Sequence, residues 1–251
     1  MGQPSPRSAA RPSWWRRLVV PATLAGLLAL ASAPAAFAFD FNTVAARAKA
    51  LAGKSYKKPS DELPKAIRDL SYEQANQIRF RADKAYWSAQ KLPFELSFIH
   101  LGASFTEPVK VNEVVGGAVR EIVFNPALFD YSANRNIDPR SLRNIGFAGF
   151  RIRFPVNSSK VKDDVLTFHG ASYFRAMGKG QGYGLSASDP ALDTALYSRE
   201  AFPPFSEFSL EPPPAPSKAL TGYALPDPPP ALAASRFPVK PAVATATGVV
   251  A

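Results

Sequence analysis

Phe150-Arg151-Ile152-Arg153-Phe154 alternates apolar and cationic residues over five positions. In a strand successive side chains leave opposite faces, so Phe150, Ile152 and Phe154 point one way and Arg151 and Arg153 the other. The same period recurs on both sides. Phe94, Leu96 and Phe98 alternate, and then Ile99 and Leu101 change phase, which suggests a bulge. Val109 with Val111, Val119-Glu121-Val123, Val165 to Phe168 and Ala171 to Phe174 continue the pattern. Glu107-Pro108, Gly116-Gly117, Asn125-Pro126, Asp138-Pro139 and Asn157-Ser158-Ser159 separate the runs as turns. Many short strands with polar outer faces predict a mainly β chain, a two-layer antiparallel β-sandwich.

Outside residues 93–211 the composition changes. Residues 39–92 read as helical, with 11 cations against 6 acids. Asn42 is placed to cap a helix through Val44, Ala45, Ala48 and Leu51 that stops at Gly53. Ser71 with Gln74 forms a capping box before a second helix expected to reach about Gln90. The cations read as a solvated helix face ahead of a dedicated anionic site.

Residues 203–251 hold 12 of the 25 prolines and six charged residues. Phe205 to Glu211 and Leu220 to Leu225 still look like strands. Pro238 and Pro241 argue against a central strand at Arg236 to Lys240. The stretch 212–251 is accordingly expected to be a Pro-rich, poorly ordered or frame-damaged tail. On that expectation the second sheet is incomplete, Phe98, Phe150, Phe154 and Phe168 face water, and the isolated chain is unstable.

The first 38 residues carry Arg7, Arg11, Arg16 and Arg17 and no acid. Arg16-Arg17 precedes an apolar run from Leu18 to Ala31, and Ala36-Phe37-Ala38 offers a small-x-small cleavage site. The run is ~14 residues, short of the roughly 20 a spanning helix needs. It reads as a signal peptide, residues 1–38, cut after Ala38 for export to a periplasm. The arginine pair also admits the twin-arginine route, ranked second because Trp15 replaces the expected polar residue.

Of 251 residues, 46% are hydrophobic and 20% charged, which excludes a wholly disordered chain. The absence of cysteine excludes thiol catalysis, disulfides and thiolate metal sites. With two histidines, a His-rich metal centre or relay is not expected. The net charge is +10, or +6 without the leader's four arginines, below the density of a nucleic-acid binder. No cofactor or metal is expected.

Gly178-Lys179-Gly180-Gln181-Gly182-Tyr183-Gly184 fits neither the dinucleotide fingerprint nor the phosphate loop. A flexible hairpin loop is favoured there over a loop that closes on a ligand. Tyr173, Phe174, Arg175 and Tyr183 flank it. Aromatic faces beside charged groups suit sugars, whereas packing needs only one of Tyr173 and Phe174 exposed. His100 and His169 read as structural. Arg135, Asp138, Arg140 and Arg143 read as a solvated loop.

Phe39-Asp40-Phe41, Lys57-Lys58-Pro59, Leu70-Ser71-Tyr72, Phe124 to Tyr131, Gly146 to Arg151, Phe168 to Arg175 and Gly184 to Ala187 together resemble the periplasmic glucans biosynthesis protein family, of the OpgG/MdoG type. The resemblance covers residues 39–211, the expected N-terminal β-sandwich domain. It implies a large sandwich of the galactose-mutarotase type and, in complete members, a following immunoglobulin-like domain. It also implies a role in making osmoregulated periplasmic glucans, whose backbone is β-1,2-linked glucose; some members resemble glycoside hydrolases that cut it. Against that pattern the chain reads as truncated, with the family's acid and base lying beyond Ala251, so no catalytic residue carries over. What carries over is a sugar-facing set: Tyr173, Arg175 and Tyr183. The implied partners are a β-glucan polysaccharide and the membrane glucan synthase. A binding or scaffold module without chemistry, or a non-functional fragment, stands as the other reading.

Overall fold

The computed structural model describes residues 2, 38–54, 63–170, 173–181, 186–188, 203–214, 216–226, 234–240, 245–246 and 249–250. Three helices come first: α1 (Phe41–Ala52), α2 (Lys65–Arg68) and α3 (Tyr72–Gln77). Strands β1 (Arg79–Phe80), β2 (Glu95–Ile99), β3 (Lys110–Val115), β4 (Ala118–Glu121), β5 (Phe129–Asp130), β6 (Gly149–Ser158) and β7 (Val161–His169) follow. After them come β8 (Tyr173–Ala176), β9 (Ser186–Ser188), β10 (Phe205–Glu211), β11 (Leu220–Pro226), β12 (Ser235–Lys240), β13 (Thr245–Ala246) and β14 (Val249–Val250).

One sheet has five strands in the order β2-β6-β7-β8-β9, all antiparallel. The other has seven, β13-β12-β11-β10-β3-β4 with β14 also on β12. Its one parallel pair is β10 with β3. Alternation decides which faces meet. Phe150, Ile152, Phe154 and Val156 of β6 are buried, while Arg151 and Arg153 are half-buried on the far face. Phe168 of β7 meets the opposite sheet directly, with ring centroids 5.6, 4.8 and 4.9 Å from Phe205, Phe208 and Phe237. Each such ring removed from water is worth about 1.5–3 kcal/mol, so the inter-sheet aromatic layer is the main source of cohesion.

This layer corrects the expectation of exposed phenylalanines. Phe98, Phe150, Phe154 and Phe168 are buried. The cover comes from the segment expected to be a tail. β10 pairs with β11 along most of its length, and β11 pairs with β12 from Leu220–Val239 to Ala224–Ser235. Pro238 is tolerated inside β12. The described partners on its far side face 235–236 and 239–240, flanking the missing donor. Gly222 lies opposite Phe237, and a Cβ there would come within 2.2 Å of the ring. Glycine is required so that the phenylalanine can lie across the strand.

The outer face of the seven-stranded sheet is covered by α1, whose Val44 and Ala48 pack with Phe39, Val114, Tyr223 and Leu225. Asp40, rather than Asn42, caps α1 by accepting from the Thr43 amide at 2.9 Å. Arg47 then donates to both oxygens of Glu207, at 2.7 and 2.6 Å. Gly53 ends the helix as expected.

The Ser71–Gln74 capping box is present, but α3 stops at Gln77 rather than near Gln90. The aromatic rings explain the early end. Phe80 pairs with Phe129 in β1–β5, and Phe80 and Tyr86 lie 5.9 and 6.2 Å from Phe98. A continued helix would hold these rings away from the sheet, and tertiary packing outweighs propensity. The phase change after Phe98 is no bulge either: β2 ends at Ile99 and the chain turns through Gly102 and Ala103, with φ of 144° and 52°. Val119 belongs to an exposed edge strand, so its alternation does not reflect burial.

Candidate functional site

Outward-facing positions of the five-stranded sheet are set by register. Arg151 pairs with Ser97 and with Thr167, and Thr167 pairs with Arg175. These side chains share the face that the phenylalanines do not use. His169 and Tyr173 continue the same face by period two. The segment from α3 to β1 and the turn at 102–105 rise beside it, enclosing a cleft of about 370 Å³. Arg151, Arg153, Asp164 and His169 line its sheet side; Tyr72, Asn76 and Arg79 line the other.

The charges form a ladder. Asp164 lies between two guanidiniums, 3.5 Å from Arg151 and 3.4 Å from Arg153. Arg153 also reaches Glu95 at 3.7 Å, and Lys162 donates to Glu95 at 2.7 Å. Asp164 is the one carboxylate among the described cleft-lining residues, which also include Arg79, Arg151 and Arg153.

Three rings run in a row at the end of this face. Phe105 stacks on His169 at 4.4 Å, and His169 lies 6.2 Å from Tyr173 with the planes 27° apart. Burial, reinforced by the positive charges of Arg151 and Arg175, lowers the His169 pKa to about 4, so the ring is neutral at pH 7. Its Nδ1 is buried and makes no hydrogen bond.

His100, also at the cleft, is fixed differently. Its Nδ1 is 2.6 Å from the Leu101 carbonyl and must donate, so Nε2 accepts from the Tyr131 hydroxyl at 2.8 Å. Burial lowers its pKa to about 4 and raises that of Tyr131.

Of the residues singled out in the sequence, Tyr173 is half-buried and Arg175 exposed, both on β8 beside His169. Phe174 points inward onto Phe168 at 5.4 Å, leaving Tyr173 on the open face. Tyr183 lies outside the described residues. The described part of the glycine run is a hairpin turn: the Gly180 amide donates to Asn157 and the Gly178 amide to Gln181. Arg140 is engaged by Asp138, which also caps the short turn Pro139–Ser141. Arg151, Arg153, Asp164, His169 and Phe105 were not assigned to a site from sequence. The Arg-x-Arg alternation of β6 was the available signal, because cations on one face of a sheet strand need either solvent or a partner.

The comparisons with known proteins give the family. Residues 39–251 match the family described as "Periplasmic glucan biosynthesis protein, MdoG". The chain is similar to a protein of Ralstonia nicotianae named glucans biosynthesis protein G, with 56% identity over 224 residues, 89% of this chain and 44% of the relative. Proteins of that name from Serratia proteamaculans and Pectobacterium atrosepticum are each 46% identical, over 215 and 217 residues, 86% of this chain and 41% of the relative. The chain thus spans less than half the length of these curated relatives.

Proposed function

Because this chain belongs to the MdoG family of periplasmic glucan biosynthesis proteins, we propose that it acts in the periplasm by binding a β-glucan on the outer face of its five-stranded sheet. One observation carries this reading: the cleft and the ring row Phe105–His169–Tyr173 lie on one continuous face with Arg151 and Arg175. Sugars present apolar ring faces that stack on aromatics and hydroxyls that bond to guanidinium and carboxylate. The β-1,2-linked backbone follows from the family resemblance. The partners proposed are the glucan and the membrane synthase that makes it, and the leader that directs export is removed after Ala38.

Binding is favoured over cleavage by the side chains at hand. Inverting hydrolysis needs two carboxylates roughly 6.5–9.5 Å apart, one of them protonated. Asp164 is the one carboxylate among the described residues that line the cleft, so the described lining offers no such pair.

The test compares Tyr173→Ala and Arg175→Ala with the parent chain for affinity to linear β-1,2-glucan and for thermal midpoint. Binding should fall at least roughly fivefold while the midpoint stays within about 2 °C for the exposed Arg175 and about 4 °C for the half-buried Tyr173, since neither side chain belongs to the core. Unchanged binding, or a midpoint drop typical of a core deletion, would make these residues packing elements.

A further inference from the structure

The compact unit that holds all of these strands begins at Ala38, one residue before the bond where the leader is read to end. Phe39, the next residue, is 8% exposed and packs edge-on against Tyr223 at 5.3 Å. Its amide donates to the Gly117 carbonyl at 3.2 Å. Gly117 sits in the β3–β4 turn with φ of 80°, and a Cβ there would come within 2.8 Å of the Ala38 Cα. From the other end the segment is held by the Asp40 cap of α1 and the two Arg47–Glu207 bonds, with Glu207 also accepting from Asn112 at 2.7 Å.

We propose that the Ala38–Phe39 bond is a processing site cut only while residues 38–52 are undocked, and that the released Phe39 amino group then seats on the Gly117 carbonyl. This rests on the leader reading made above.

The physical reason lies in the bond's own atoms. The nitrogen of the scissile amide is the donor to Gly117, and the side chain after the bond is buried under Tyr223. A leader peptidase binds its substrate extended, with backbone groups on both sides of the bond free to pair, as in strand addition. The folded arrangement denies it the Phe39 amide and side chain. Cleavage adds water across the bond: hydroxyl to the Ala38 carbonyl carbon, hydrogen to the Phe39 nitrogen. The new amine protonates near neutral pH and becomes a charge-assisted donor to the same carbonyl. An ammonium at a helix N-terminus opposes the macrodipole, and the Asp40 carboxylate beside it, held below its ordinary pKa by the Thr43 hydrogen bonds, offsets that repulsion.

The experiment uses the full chain, folded, and a synthetic peptide of residues 30–45, each incubated with a bacterial leader peptidase in detergent and read by N-terminal sequencing. The peptide should be cut after Ala38, and the folded chain at least roughly tenfold more slowly, because cutting must await local opening. Arg47→Ala, which loosens α1 without touching the bond, should restore much of the rate on the folded chain; so should Gly117→Val. If the valine variant does not fold, Arg47→Ala decides. A peptide left uncut after Ala38 overturns the leader reading and the proposal with it. A peptide and folded chain cut at equal rates overturn the docking alone. Protection that both variants leave unchanged also overturns it.

Discussion

Replacing Phe237 by alanine tests whether residues 235–240 belong to the fold. Its ring is 6% exposed, 4.9 Å from Phe168 of the opposite sheet and 6.3 Å from Phe208, and it lies over Gly222 on the neighbouring strand. With glycine beneath, no side chain can collapse into the space from that side. The loss should therefore reach the usual range for a buried phenylalanine, about 3–5 kcal/mol. That is a large share of a domain's net stability of roughly 5–15 kcal/mol, and corresponds to a midpoint drop of roughly 10 °C. Urea titration followed by circular dichroism reads it as a shift of the midpoint. Arg236→Ala, an exposed neighbour on the same strand, should stay within about 0.5 kcal/mol. A Phe237→Ala variant as stable as Arg236→Ala would refute the packing of β12 and return 212–251 to a loose tail.

Acid should weaken the fold well before the carboxylates titrate. His100 and His169 have folded pKa values of about 4 against 6.5 when free. Between those values the unfolded chain binds more protons, so stability falls with falling pH, by up to about 1.4 kcal/mol per pH unit for each histidine. Urea midpoints from pH 7 to 4.5 check this, and a flat profile would contradict the burial of both rings. Glu113→Ala should cost about 2–3 kcal/mol and shift tryptophan emission, because the buried Trp87 Nε1 loses its acceptor at 2.7 Å and Tyr86 loses its own at 3.2 Å. Ser71→Ala should cost about 1 kcal/mol by opening the cap of α3, read from the same titration.

What the sequence made legible was period and punctuation. The alternation in β6, the Gly116-Gly117 turn, the Ser71–Gln74 box and the stop at Gly53 are local signals, and the structure follows them. What it concealed was long-range. Pro238 argues locally against a strand, yet Phe237 gains Phe168 and Gly222 by lying in one. Helical propensity past Gln77 gave way to two aromatic rings, Phe80 and Tyr86, that pack toward the sheet. The site divided in the same manner. Tyr173 and Arg175 were visible because aromatic and cation stand together in sequence. Arg151, Asp164 and Phe105 are separated from them along the chain and meet His169 and its neighbours only through strand register and the turn at 102–105.

The central claim is that glucan lies on the outer face of the five-stranded sheet. A crystal structure of the chain soaked with a β-1,2-linked glucose oligosaccharide tests it most directly. The account predicts a sugar ring against Tyr173 and His169, with hydroxyls bonded to Arg151 or Arg175. Sugar found instead in the separate hollow between Lys91, Lys179 and Lys218, with the sheet face bare, would contradict it.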